Sequence, residues 1–359
     1  MYYISAMRIL SGYIALSLTI LALTVCSCPG NLTQPVKSLA LNGSGDRGRD
    51  AKIIIFTNRA RTSSSAEQRF FGTSVDPSGR TSQVRVDFSN GDSKVTFFDT
   101  LDSALDEADA TGDILIFIHG DGKGFVQTIE YSARLNSLYG VTVLAFDWPS
   151  KDPSMPDGAA NFYKSLQNAK RSVAAFDIFM NGANDYFRKH PRKGSISVVF
   201  HSLGAMILQR WTEHGTGSIE NAVIDNLILD APAVKQKRHA SWLSRVAMQK
   251  QIFVTMNDDD FTLHGASMLL FNRTLGMGAK PPYAENVRYI DFSHSLGTEH
   301  NYLIMDETKI GPDVHGIYDV ILHGGIPDTA DRTLFSEGDA PNVFILRNRI
   351  RSAGNNSTP

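Results

Sequence analysis

Apolar residues fall along this chain in short runs divided by polar and glycine-containing stretches. Ile53 to Phe56, Ile114 to Ile118, Val141 to Phe146, Ile196 to Phe200, Leu227 to Leu229, Ile252 to Met256 and Val287 to Ile290 are such runs. Runs that are apolar throughout predict strands covered on both faces. Val84 to Phe88 instead alternates apolar and polar positions, which predicts a half-exposed antiparallel strand, and Val95 to Phe98 predicts another short one. Asn161 to Phe179 and Phe261 to Leu275 predict helices between the strands. An antiparallel start followed by strand–helix alternation implies an α/β chain. Its sheet is expected to be mostly parallel, covered by helices on both faces, with antiparallel strands at the N-terminal edge.

Two terminal segments stand outside this pattern. Ile9 to Val25 is nearly free of charge, follows Arg8 and precedes Cys26-Ser27-Cys28. At 17 residues it is short for a membrane span, which needs roughly 20, and it has the make-up of a secretory apolar region. Met7 is an alternative start. Val25-Cys26-Ser27-Cys28 resembles a bacterial lipobox with Cys28 as the lipidated residue; a simple cleaved signal and an uncleaved anchor are the alternatives. The expected organisation is a signal peptide over 1–28, of lipoprotein type, a flexible Gly/Ser/Asn-rich tether over 29–50, one domain over 51–346 and a polar tail over 347–359. That implies export, to a bacterial periplasm or to a membrane held through the N-terminus. Oligomeric state is not readable.

Composition narrows the chemistry. The chain's 35 Lys and Arg balance 37 Asp and Glu, so no basic field argues for nucleic acid. Both cysteines lie in the leader, which leaves the domain without a thiol nucleophile, a disulfide or a cysteine metal site. The 10 histidines show no His-Glu-x-x-His or similar spacing, so no metal and no cofactor is expected.

The stretch Val198-Val199-Phe200-His201-Ser202-Leu203-Gly204-Ala205 carries the most specific signal. A short strand gives way to a helix-forming segment, and Ser202 sits on the turn between them. Such a turn lifts the hydroxyl clear of the sheet and puts the Leu203 N–H at a helix N-terminus, where developing negative charge is stabilised. This resembles the nucleophile elbow of α/β hydrolases, usually Gly-x-Ser-x-Gly, with Phe200 in place of the first glycine. A small residue is expected there, because a side chain would crowd the following helix. His119-Gly120-Asp121-Gly122 closes the strand ending at Ile118. In that fold the loop after the third strand often begins His-Gly and supplies the second oxyanion N–H, which lands on Asp121. Its carboxylate is expected to point away from the oxyanion.

Thr57-Asn58-Arg59, Phe71-Gly72, His119-Gly120, Trp148-Pro149-Ser150 and His201-Ser202-Leu203-Gly204 occur in this order. Together they resemble a branch of poorly characterised bacterial α/β hydrolases over roughly residues 52 to 325. Trp148 and Pro149 have no catalytic chemistry and are expected to shape the cleft or pack.

A serine nucleophile needs a base and an acid that orients it. In this fold the acid follows the serine and the histidine comes last. Asn257-Asp258-Asp259-Asp260 follows the strand ending at Met256; on residue chemistry alone, adjacent aspartates there are a solvated turn or a helix cap. The resemblance places the acid on Asp260, with Asp258, Asp259 and Asp230 as alternatives. His300, beyond the strand starting at Val287, matches the family's histidine followed shortly by an aromatic; His294 and His315 are alternative bases. His201 is expected to pack. No lid is evident, and residues 235–250, with Trp242 and Met248, are a candidate small cap.

These features imply an exported serine hydrolase that cleaves a small-molecule acyl ester, thioester or amide through Ser202, His300 and Asp260 and an acyl-enzyme. A non-catalytic binding or scaffold protein on the same fold, and an acyltransferase using the same triad, are the alternatives.

Overall fold

The computed structural model describes residues 52–61, 71–89, 92–106, 112–215, 218–219 and 221–347. The expected signal peptide with Cys28, the tether and the polar tail beyond Arg347 lie outside them. In chain order the strands are β1 (Lys52–Thr57), β2 (Arg59–Arg61), β3 (Phe71–Val75), β4 (Ser82–Ser89), β5 (Asp92–Phe98), β6 (Ile114–Ile118), β7 (Thr142–Asp147), β8 (Ile196–His201), β9 (Ile224–Asp230), β10 (Gln249–Met256), β11 (Val287–Asp291), β12 (Phe335–Glu337) and β13 (Val343–Leu346). The helices are α1 (Leu101–Asp106), α2 (Phe125–Tyr139), α3 (Ala159–Arg171), α4 (Val173–Lys189), α5 (Ala205–Glu213), α6 (His239–Leu243), α7 (Phe261–Leu269), α8 (Ser293–Leu296), α9 (Glu307–Ile310) and α10 (Pro312–Leu322).

Among the described residues, eleven strands make one sheet in the order β12-β13-β11-β10-β9-β8-β6-β7-β1-β4-β5. The pairs from β1 through β7, β6, β8, β9, β10, β11 and β13 are parallel, and β4, β5 and β12 add antiparallel edges. The all-apolar runs are the reason: every residue of β6 and β8 is buried, as strands covered on both faces require. In β4 the predicted alternation holds, with Val84, Val86 and Phe88 buried and Arg85 and Asp87 half-buried.

Three details differ from expectation. The predicted helix over Asn161 to Phe179 is two helices meeting at Ser172, whose hydroxyl accepts from Asn58 Nδ2 (2.9 Å) and donates to the Asn168 carbonyl (2.8 Å). The helix from Phe261 stops at Leu269, two residues before Phe271 takes a left-handed φ of 49°. The strands β12 and β13 extend the sheet beyond β11; β12 is only three residues, two of them polar, whereas β13 is the apolar run Val343 to Leu346, which is open to reading in the sequence and absent from the expected strands.

Aromatic rings fill the layer beneath α4 and α5. Phe176 lies 5.3 Å from Phe146, 5.5 Å from Phe200 and 5.4 Å from Trp211, centroid to centroid, each near edge-on. Phe200 is therefore accommodated, contrary to the expectation that its site needs a small residue. Its ring enters this cluster instead of crowding the helix that follows Ser202.

Candidate active site

The carboxyl ends of the parallel strands deliver the chemistry to one edge of the sheet, where open α/β sheets place their ligands. Ser202 follows β8 directly and takes a φ of 53°, a left-handed conformation that costs a non-glycine residue on the order of 1–3 kcal/mol. The surroundings enforce it. The Ala233 N–H donates to the Ser202 carbonyl at 3.0 Å. Gly204 lies so close to the chain at β6 that an added Cβ would stand 2.8 Å from the carbonyl oxygens of both Ile118 and His119. Gly120 is confined similarly, its would-be Cβ 2.8 Å from Ser202 Cβ. Elbow and loop are thus packed backbone against backbone.

Asp260 caps α7 with one oxygen, accepting from the Leu263 N–H at 2.9 Å. Its other oxygen lies 2.6 Å from His300 Nδ1, and His300 Nε2 lies 3.0 Å from Ser202 Oγ. An ionised carboxylate only accepts, so Nδ1–H donates to Asp260 and the Nε2 lone pair faces the serine hydroxyl. Asp260 is fully buried and His300 nearly so. One aspartate therefore does both things read from its sequence position, capping a helix and holding an imidazole. Hydroxyl, imidazole and carboxylate in series permit the serine proton to pass to His300.

A family model described as "Alpha/beta hydrolase of unknown function (DUF900)" matches residues 98–298, more than half of the chain. The chain belongs to that family. The matched stretch includes Ser202 and Asp260 and ends just before His300. Among solved structures, this α/β hydrolase is similar to an esterase of Pyrobaculum calidifontis, at 13% identity over 68% of this chain and 83% of that one, TM-score 0.33. It is similar also to carboxyl esterase 2 of the mycorrhizal fungus Tuber melanosporum (11% identity, 87% of this chain and 96% of that one, TM-score 0.38). A third is esterase LipW of Mycobacterium marinum (11%, 69% and 78%, TM-score 0.34). Likenesses this distant carry no weight for the reaction. A comparison with curated proteins finds no match.

In this hydrolase the alternatives weighed from sequence sit elsewhere. Asp258 and Asp259 are exposed, and Asp258 pairs with Arg273. Asp230 is fully buried but holds His201, not His300. His294 is exposed on α8, and His315 stacks on Tyr139 at 5.1 Å. Residues 235–250 form no cap: Trp242 and Met248 are buried, and none of that segment lines the cleft. The cleft over Ser202 encloses about 400 Å³ and is walled instead by the start of α3 and by α7, with Phe162, Phe261, Ala266 and Leu269 as its apolar side. Tyr163 links the two walls through a 2.8 Å hydrogen bond to the Leu269 carbonyl.

Asp121 and Leu203 line the same cleft as Ser202. Burial pushes the Asp121 carboxyl up, against the pull of hydrogen bonds from Ser165 and the Gly122 N–H and of the Lys123 charge. Its side chain is thus engaged towards α3.

What the sequence reading missed is the brace beneath this loop. Asp147, at the end of β7, accepts from Arg59 Nε (2.6 Å) and Nη2 (3.0 Å), Thr57 Oγ1 (2.7 Å) and Thr128 Oγ1 (2.7 Å). Arg59 Nη2 also donates to the carbonyls of Lys123 (2.9 Å) and Trp148 (2.6 Å). Burial is the largest single influence on Asp147 and opposes its ionisation, but the Arg59 charge and the neighbouring hydrogen-bond donors together outweigh it and hold the carboxyl well below the usual range. In the neutral ring His119 donates from Nδ1 to the Gly120 carbonyl (2.9 Å) and accepts the Trp148 N–H at Nε2 (3.2 Å), with Asp147 Oδ1 3.3 Å from that same nitrogen. Burial pushes its ionisation down, consistent with that tautomer. Trp148 stacks on the His119 ring at 5.3 Å and 2°, and the Lys123 N–H donates to Ser150 Oγ at 2.9 Å. Trp148 therefore packs and does not line the cleft. The order Thr-Asn-Arg, His-Gly, Trp-Pro-Ser was the available signal: the three motifs clamp one another and the loop bearing Asp121.

Among the described residues, no three His, Cys, Asp or Glu side chains form a metal-holding group, and no helix is long and apolar enough to cross a membrane.

Proposed function

We propose that this chain is a serine hydrolase of carboxylic esters. The observation that carries the reading is the continuous series Ser202 Oγ, His300 Nε2, His300 Nδ1, Asp260 Oδ2, with gaps of 3.0 Å and 2.6 Å, on a serine held at a left-handed φ beside a cleft. Ser202 attacks the acyl carbon while His300 takes its proton, and Asp260 fixes the tautomer and steadies the imidazolium that forms. The N–H groups of Leu203 and Asp121 receive the developing oxyanion, each worth on the order of 10²–10³ in rate. His300 returns its proton to the leaving alcohol. Water, deprotonated by the same histidine, then attacks the acyl-enzyme and frees Ser202, so the cycle draws only on residues of this chain. The apolar wall of Phe162, Phe261 and Leu269 suits an uncharged acyl group. The leader sequence supports export, with attachment through Cys28.

Turnover of a panel of nitrophenyl esters by the full chain tests the reading. Hydrolysis that disappears in Ser202→Ala is the expected result. Equal turnover by wild type and Ser202→Ala, or none by either, contradicts it.

A further inference from the structure

The site contains a second histidine–aspartate pair for which the proposed cycle has no use. His201 ends β8, and the parallel register of β8 with β9 sets it opposite Asp230. His201 Nδ1 lies 2.7 Å from Asp230 Oδ2. The other carboxylate oxygen accepts from Thr255 Oγ1 at 2.9 Å and from the Tyr318 hydroxyl. Asp230, Thr255 and Tyr318 are fully buried, and His201 is 3% exposed.

Packing alone does not call for this arrangement. Burying an ionised group and its polar partners is costly, and apolar residues of similar volume usually serve as well or better. What a buried hydrogen-bond network supplies is one fixed geometry. The ring it fixes touches both halves of the machinery. Its centroid is 5.0 Å from that of His300, at 45°. Its Cδ2 lies against Gly120, 3.3 Å from where a Cβ on that residue would stand. His201 is also covalently next to Ser202. Burial pushes its ionisation down, against the pull of Asp230, and the nearby His300 and Lys123 act in the same direction as burial. These influences favour the neutral ring, while in the proposed cycle His300 passes through its charged form.

We propose that His201, anchored by Asp230, is a positioning residue for the reaction: it sets His300 against Ser202 and props the loop that carries the Asp121 N–H. This rests on the reading of Ser202, His300 and Asp260 as the reacting series. Displacement by about 1 Å of a group near the chemistry is enough to lower rates by about 10²-fold. A role in positioning therefore appears in kcat, with KM little changed.

The test compares His201→Phe, His201→Gln and Asp230→Asn in the full chain. The readouts are kcat and KM on a soluble nitrophenyl ester, the rate of Ser202 labelling by a fluorophosphonate, and thermal unfolding, so that each rate is taken per folded molecule. His201→Phe keeps the ring volume and loses the anchor; kcat and labelling are expected to fall about 10²-fold with KM within about twofold. Asp230→Asn should behave in the same way. His201→Gln offers an amide N–H to the same carboxylate and should recover most of the loss. A kcat for His201→Phe equal to wild type overturns the proposal, as does a His201→Gln variant no better than His201→Phe. If Ser202→Ala retains wild-type turnover, the underlying reading fails, which is a different result from wild-type kcat in the His201 variants alone.

Discussion

Asp147, the last residue of β7, and Asp260, just beyond β10, are both fully buried carboxylates at the same edge of the sheet, and their partners differ in kind. Asp147 is enclosed by a guanidinium and two hydroxyls, with the sealed His119 ring, which does not line the cleft, 3.3 Å from it. Every group it holds is itself tied to backbone or sealed in the core, and nothing in the cluster lines the cleft. Asp260 has one backbone N–H and one imidazole, and that imidazole reaches a serine hydroxyl in the cleft. The difference lies in what the partner can do next. A carboxylate matched by a permanent cation is a brace. A carboxylate matched by an imidazole whose other nitrogen faces a serine hydroxyl is, in the proposed reaction, part of a proton path.

The comparison can be broken in three ways. Asp260→Asn should leave the fold intact and lower kcat by about 10⁴, because the wrong imidazole tautomer then faces Ser202; steady-state kinetics beside circular dichroism checks this. Asp258→Asn, on an exposed residue, is the control that should change little. Arg59→Met should act the other way round. It strands a buried Asp147 without its cation, and about 3–5 kcal/mol of stability should go, read by urea unfolding, while turnover per folded molecule stays comparatively high. A stable but inactive Arg59→Met protein would mean that brace and site are not separable.

The third way is through pH. Folding lowers the ionisation of His119 and His201 through burial, so the unfolded chain takes up protons that the folded chain refuses. Stability should therefore fall as pH drops below about 6.5, by up to about 1.4 kcal/mol per pH unit for each histidine. Asp147 is depressed in its turn, so its contribution is present above the ordinary aspartate range and is lost as pH falls below about 3.9. Thermal unfolding between pH 8 and pH 4 should show the first decline, and a flat profile would contradict the neutral, sealed state of both rings.

Much of this was legible in the sequence, for physical reasons. Buried parallel strands need continuous apolar runs, so β6, β7, β8 and β10 declared themselves. The turn after β8 needs Gly204 because carbonyl oxygens lie 2.8 Å from where its Cβ would be, so the elbow was readable too. Other features depend on distance in space. The pairing of His201 with Asp230 follows from the register of two strands, and no local pattern encodes register. Phe200 looked like a defect because the space for its ring is made by Phe176, 24 residues upstream (200 − 176). Trp242 and Met248 suggested a cap by composition, yet apolar bulk there is core. Thr57-Asn58-Arg59 gave a motif without a role until the chain brought Arg59 within 2.6 Å of Asp147.

The central claim is that Ser202 is an activated nucleophile, and fluorophosphonate labelling of the full chain followed by peptide mapping tests it most directly. The account predicts that Ser202 alone is modified in the wild type. Modification should be lost in His300→Ala and kept in His315→Ala, whose ring stacks on Tyr139 away from the cleft. A folded wild-type protein that does not label, or a His300→Ala variant that labels at the wild-type rate, would contradict it.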